Sequence, residues 1–500
     1  MLNDASLIGQ AGLIEKLGLK VPMPAVVSCA GPGARRTLIE LTRQIERYPQ
    51  RSATDGSVIG DLRFALKNEP VDLGVIVAAL RAMDRRELEQ WVRSEPNGIY
   101  SRRAWFLFEK FIRKTLDVAD AGVVTYAPAL DPRLHFVAKG LNSKRHKIID
   151  NLTGVADFCP IIRRTEKLET LISSKINEEA RLLIEDCDPE VLARAVSYLL
   201  TKETRSTFAI EGETPSGSKT ERFVSALRHA GDFDPTDEKT LLKLQNEIVD
   251  PRYAAKGFRD FQNFVGETVG GYRDKVHFIC PKPDDVRPLM DGWAHAFERL
   301  RHSLDPVVCA AVAAFGFVFI HPFEDGNGRI HRYLIHHVLA AEKFSPPGVL
   351  FPVSAAIVRD RAGYDAALES FSSKILDFIE WRFENDRTVT VLNETIDLYK
   401  FFDCTFIAEF LYEKVIETVR KDLKEEINFV AIFDAAYNSV SELLDMPNRR
   451  ANLLVRLCLQ NGGVLSKSKR QQFPEVTDAE LERVQIAIRR ILDSSGAYIE

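Results

Sequence analysis

The chain has no paired-cysteine spacing, no bilayer-length apolar run and no strong bias toward one charge. Seven cysteines stand at 29, 159, 187, 280, 309, 404 and 458, with no C-x-x-C. Scattered, odd-numbered thiols argue against a disulfide framework or a cysteine zinc site and fit a reducing cytoplasm. The longest apolar run, 307–320, is too short to span a membrane and reads as a buried helix. The opening MLNDASLIGQ has no basic stretch leading into an apolar core, so no secretory signal is expected. A net charge of −5 on 500 residues gives no global pull toward nucleic acid or an anionic membrane. The glycine-bearing AGPGARRT (30–37) lacks the spacing of a dinucleotide or Walker loop and reads as a turn and helix start. No internal repeat or low-complexity tract stands out.

Helical periodicity dominates what is present. Helices are expected over 36–47, 57–67, 72–83, 85–93 and 102–116, separated by Pro, Gly and Asp breaks. These fall in a mostly helical N-terminal module, 1–150. Its aromatic stretch 95–111 (EPNGIYSRRAWFLFEKF) has the spacing of a core face. Linker helices follow over 151–215, with two helical segments between 160 and 212, the second at about 189–210. A core over 216–385 should hold a short hairpin at 272–281 and long helices over 286–301 and 305–320. Another helix begins after Gly326, and the pattern continues helical over 355–384. Connecting helices, 386–424, lead to a C-terminal module, 425–500, with helix-turn-helix or winged-helix rhythm. Arg449, Arg450, Arg456, Lys467, Lys469 and Arg470 cluster there. They suit either a local DNA contact or a solvated basic face. The fold class is therefore mainly α.

The chemistry concentrates in HPFEDGNGRIHR, 321–332. A Gly-Asn-Gly turn at the start of a helix exposes successive backbone N–H groups, which form an anion nest. Arg329 and Arg332 lie three residues apart on one helix face, and paired guanidinium forks suit polyphosphate. Asp325 would repel phosphate unless a cation such as Mg²⁺ lies between them. His321 can accept a hydroxyl proton near neutral pH. Together these groups describe transfer of a nucleotidyl or phosphoryl group to a hydroxyl.

This stretch resembles the signature of the Fic family, H-x-F-x-[DE]-G-N-G-R-x-x-R, through His321, Phe323, Asp325, Gly326, Asn327, Gly328, Arg329 and Arg332. The resemblance implies a helical core with a β-hairpin flap and an AMP-transferring enzyme. ATP would donate AMP to a Ser, Thr or Tyr hydroxyl of a target protein, with Mg²⁺ as cofactor. It implies His321 as general base and Asp325 as metal ligand. Gly326, Asn327 and Gly328 would form the anion hole, Arg329 and Arg332 would hold phosphate, and Phe323 would anchor the loop. Gly328 favours nucleotidyl transfer, since the related Doc kinases carry Lys there. The flap, with Lys275, Val276, His277 and Phe278, would hold the target by strand addition. Asp360 and Tyr364 match a looser adenosine-pocket pattern.

TFAIEG, 207–212, resembles the family's inhibitory motif through Thr207, Glu211 and Gly212. That likeness implies a bidentate Glu211–Arg332 pair occupying the fork meant for the γ-phosphate. The resulting expectation is a self-inhibited, cytoplasmic protein adenylyltransferase, with a homodimer as one assembly. A de-AMPylating phosphodiesterase and a DNA-binding regulator with a nucleotide-sensing core are the alternatives.

Overall fold

The computed structural model describes residues 5–40, 43–269, 273–385 and 388–495. Among these residues helices dominate, and the four sheets are small. The first sheet runs in the order Ser6–Ile8, Val26–Gly31, Arg43–Pro49, Arg36–Glu40. Its inner pair is parallel and its outer pairs are antiparallel. Within 36–47, expected as a helix, the described residues 36–40 and 43–47 thus lie in strands. A short apolar pattern does not distinguish the two periods, and cross-strand chemistry decides. The buried carboxylate of Glu46 accepts from Thr37 Oγ1 at 2.7 Å, Gln44 Nε2 at 2.8 Å and Arg35 Nη2 at 3.2 Å.

Helices Val58–Asn68, Leu73–Ala82 and Arg85–Ser94 follow, with Ser57, Asp72 and Asp84 capping their first N–H groups. With Ile99–Ile112 they enclose an apolar core in which Trp105, Phe106 and Phe108 are buried. The aromatic stretch is core.

The largest core surrounds helix Pro306–Ile320, which is apolar on every side and buried at every position but Pro306 and Val318. Asp305 caps its start, and Pro306 takes the first-turn place that needs no donor. Helices Pro283–Leu300, Asn327–Ala341 and Thr405–Glu417 pack around it.

Three further expectations change. Residues 160–212 hold three helices, Glu166–Ser173, Ile176–Glu185 and Pro189–Ile210, in place of two. The flap is longer than 272–281. Strand Arg273–Ile279 is its second arm, Phe264–Val269 is its first, and the connection between them lies outside the described residues. Beyond helix Arg361–Leu376, strands Trp381–Phe383 and Val389–Val391 form a second hairpin where helix was expected. Its Phe383 ring packs 5.7 Å from Phe264 of the flap, a non-local aromatic contact that favours a strand there.

The C-terminal helices Lys424–Leu443, Asn448–Leu459 and Asp478–Ser495 share a separate apolar core. Part of the basic cluster is used within this module. Arg450 pairs with Glu475, and Arg470 Nη2 pairs with Asp478 at 2.9 Å. Among the described residues no helix is long and apolar enough to cross a membrane.

Candidate functional site

Helix Pro306–Ile320 stops at His321, where Pro322 cannot continue it. His321 takes a left-handed conformation, φ 53° and ψ 58°, which costs an L-residue roughly 1–2 kcal/mol. Its Nδ1 lies 3.2 Å from the Val318 carbonyl oxygen. A carbonyl only accepts, so Nδ1 carries the proton and Nε2 keeps its lone pair. Burial pushes the imidazole pKa down to about 4, the Arg259 cation adds to that, and Glu211 and Asp325 oppose it weakly. The ring is neutral at pH 7.

The loop after His321 is held from inside. Phe323 is fully buried between Phe258 and Phe317, with ring centroids at 5.7 and 6.2 Å. Phe323→Ala is expected to cost about 3–5 kcal/mol, seen as a lower urea midpoint at unchanged slope. A loss under about 1 kcal/mol would show that the ring anchors nothing. The Asn327 amide clamps the same residue from both sides. Its Oδ1 accepts the Phe323 N–H at 3.0 Å and its Nδ2 donates to the Phe323 carbonyl at 2.8 Å. The Asn327 side chain is therefore committed to the loop, and only its backbone N–H remains to face an anion. Gly326 sits at φ 92°, in the left-handed region, with Val249 close against it. Its N–H donates to Asp325 Oδ1 at 2.6 Å. Of the expected nest, the free groups are thus the N–H groups at the start of helix Asn327–Ala341.

The two arginines differ. Arg329 is buried under the loop and donates to the Ile248 carbonyl at 3.1 Å and to Asp325 Oδ1 at 2.7 Å. Its guanidinium lies over the Phe208 ring. Arg332 is 1% exposed. Its Nε donates to Thr207 Oγ1, and its Nη2 to the Thr207 carbonyl at 3.0 Å and to Glu211 Oε1 at 2.6 Å. The expected bidentate pair is therefore monodentate. Thr207, one helical turn before Glu211, takes the Nε edge of the fork, and among the described residues Nη1 makes no hydrogen bond.

Thr207 and Glu211 share a face of helix Pro189–Ile210, and Gly212, at φ 71°, ends that helix in the left-handed cap glycine favours. On the same face the fully buried Glu203 accepts from His336 Nε2 at 2.7 Å and from the Ser354 N–H at 2.8 Å. Burial alone would raise the Glu211 pKa. Arg332, helped by Arg329 and His331, outweighs it and holds the carboxyl below its ordinary value. A Cβ on Gly328 would collide with Glu211 Oε1. The carboxylate therefore sits directly over the start of the motif helix.

A cleft of about 450 Å³ opens here. It is lined by His321, Gly328 and Glu211, by His277 and Phe278 of the flap, and by Tyr364. Of the other flap residues, Lys275 points to solvent near Glu267, and Val276 packs against the core. Asp360 does not line the cleft. It caps helix Arg361–Leu376 through the Gly363 N–H at 3.0 Å and pairs with Lys414 at 2.9 Å.

Three contributors carried no sequence signal. Arg259 donates to the His321 carbonyl at 2.8 Å. Gln245 donates to the Asp325 carbonyl at 3.1 Å. Arg361 donates to the Ile210 carbonyl at 2.7 Å, at the end of the Glu211 helix. Each is a lone polar residue whose partner is a distant backbone carbonyl, which no spacing reveals.

Comparison with known proteins gives a consistent result. The Fic/DOC family model matches residues 235–339. A protein adenylyltransferase fic-1 of Caenorhabditis elegans is 39% identical over 150 residues, 29% of this chain and 26% of that protein. A protein adenylyltransferase Fic of Drosophila mojavensis is 36% identical over 112 residues, 22% of this chain and 20% of that protein. The chain thus spans about a quarter or less of the length of these relatives. Among solved structures, a Fic family protein from Desulfovibrio desulfuricans G20 aligns with a TM-score of 0.39 at 17% identity, covering 60% of this chain and 88% of that one. The part of this chain similar to the Fic/DOC family, residues 235–339, holds both flap strands, the His321 loop and most of helix Asn327–Ala341.

Proposed function

We propose that this chain transfers AMP from ATP to a Ser, Thr or Tyr hydroxyl of a target protein, and that Glu211 restrains the reaction. The observation that carries this reading is a single cleft lined by a neutral His321, the helix start at Gly328 and Glu211 over Arg332. The target segment docks along the flap, and its hydroxyl meets His321 Nε2. The hydroxyl oxygen attacks the α-phosphorus as its proton passes to Nε2. The bond from the α-phosphorus to the bridging oxygen breaks, and pyrophosphate leaves. Free N–H groups at the start of helix Asn327–Ala341 face the phosphate charge. Arg332 receives the γ-phosphate once Glu211 withdraws, Arg329 holds Asp325 and the loop, and Tyr364 offers its ring to the base.

Asp325 fits a Mg²⁺ ligand. Its side chain is 37% exposed, and only Oδ1 is engaged among the described residues. No group of three or more His, Cys, Asp or Glu forms an all-protein cage among those residues. One carboxylate oxygen beside phosphate is the arrangement Mg²⁺ accepts when phosphates and water complete its shell. Bound there, the ion would neutralise phosphate charge. Asp325→Ala is expected to abolish the Mg²⁺-dependent part of transfer, and a Mg²⁺ titration that matches the parent's would put the ion elsewhere. The seven unpaired cysteines suit a reducing compartment such as the cytoplasm.

One observation favours a second reading. Glu211 bonds Arg332 through Oε1 alone and also lines the cleft. Its other oxygen is available to orient a water that removes AMP from a modified target. Separate incubations with α-labelled and γ-labelled ATP test the main reading. Protein label from the α position alone supports AMP transfer, and label from the γ position alone makes the enzyme a kinase.

A further inference from the structure

Arg259 is 5% exposed, and among the described residues no carboxylate lies within ion-pair range of it. A buried cation without a counter-ion is retained only where its hydrogen bonds secure something specific. All of its recorded bonds go to backbone carbonyls. Nε donates to His321 at 2.8 Å, Nη1 to Phe261 at 2.7 Å and Nη2 to Pro281 at 2.7 Å. Its own N–H donates to the Pro322 carbonyl at 2.8 Å. Phe261 and Pro281 flank the two flap strands, Phe264–Val269 and Arg273–Ile279. One planar fork therefore ties both ends of the flap to the strained residue that carries the imidazole. A rigid guanidinium can hold three diverging carbonyls at once, and an ammonium holds them less well.

We propose that Arg259 is a positioning residue for the transfer reaction, setting the flap in register with His321 and keeping a cation beside the imidazole. This rests on the proposed AMP transfer. The flap presents the hydroxyl and His321 takes its proton, so an error in their relative placement acts on the chemical step more than on nucleotide binding. The cation also disfavours a protonated ring. Other charged or titratable groups surround His321 as well: Glu211 and Asp325 act on it, and Glu267 and His277 of the flap and Arg361, Asp365 and Glu369 of the helix across the cleft line the same cleft. Arg259 is the one that also bonds the His321 backbone.

The test uses the full chain. Proton NMR follows the histidine C2 resonances through a pH titration, and the His321 signal is the one lost in His321→Ala. In Arg259→Met that signal is expected to titrate at higher pH than in the parent, toward the ordinary 6.5 but short of it, because burial remains. Arg259→Lys keeps the charge and loses the fork. Measured in the Glu211→Gly background, it should lower kcat by about tenfold to a hundredfold, with KM for ATP changed by less than about threefold. An unmoved His321 titration in Arg259→Met, or a kcat within about twofold in Arg259→Lys, overturns the proposal. If Arg259→Met fails to fold, the Lys arm decides. If no form of the chain transfers AMP, the proposed reaction fails, and the titration still decides whether Arg259 governs His321.

Discussion

Glu211→Gly is expected to raise AMP transfer by about tenfold or more over the parent chain. Glu211 Oε1 lies 2.6 Å from Arg332 Nη2 and covers Gly328, where the polyphosphate would rest. A charge pair of this kind is worth on the order of 4 kcal/mol at an effective dielectric of about 20, before desolvation is subtracted. Each 1.4 kcal/mol of competition removed from the ground state is about tenfold in rate. Nothing else need move, because Thr207 already holds Arg332 by Nε and stays in place. The gain should largely disappear in the double variant with Arg332→Ala, since the two residues act as a pair. The sign with pH follows from the lowered Glu211 pKa. The carboxylate is charged at neutral pH and the restraint is engaged. It is lost only as pH falls through that lowered value. If Glu211→Gly leaves transfer unchanged and ends removal of AMP from a modified protein, Glu211 orients water and the phosphodiesterase reading replaces this one.

His321→Ala is expected to lower transfer by about 10²- to 10⁴-fold while ATP binding changes little. The structure leaves Nε2 as the ring's acceptor, because Nδ1 is engaged by Val318. A pKa of about 4 keeps that acceptor unprotonated through the neutral range. Transfer should therefore be flat from about pH 6 to 8 as far as this group is concerned, with its acid limb well below the usual histidine range. ATP binding, followed by calorimetry on the Glu211→Gly background, should survive, because the helix start and Arg332 do not depend on the imidazole. Near-parental transfer by the alanine variant would remove His321 from the base role.

The motif loop was legible because its chemistry is contiguous: twelve residues hold a histidine, an acid, the turn and two arginines. The central helix was legible because it is apolar on all sides. Glu211 was picked out through the likeness of TFAIEG to an inhibitory motif, but its bonding geometry was not legible. Whether a fork pairs once or twice depends on which neighbour reaches it first, and that is set by the crossing of two helices. Arg259 was invisible because it bonds a carbonyl 62 residues away. Strands Arg36–Glu40 and Arg43–Pro49 were missed because their order depends on pairing with 26–31 and on the three groups that gather at Glu46. The first flap arm, FVGETV, has a glycine where the chain passes close to Lys275, which breaks any simple alternation.

The most direct measurement is intact-protein mass spectrometry of three forms incubated with ATP and Mg²⁺ in the presence of a hydroxyl-bearing acceptor protein. The forms are the parent, Glu211→Gly, and Glu211→Gly combined with His321→Ala. A mass gain of one adenylate, strong in Glu211→Gly, weak in the parent and absent in the combination, is the predicted result. A gain of one phosphate, or an adenylate gain that persists without His321, would contradict the account.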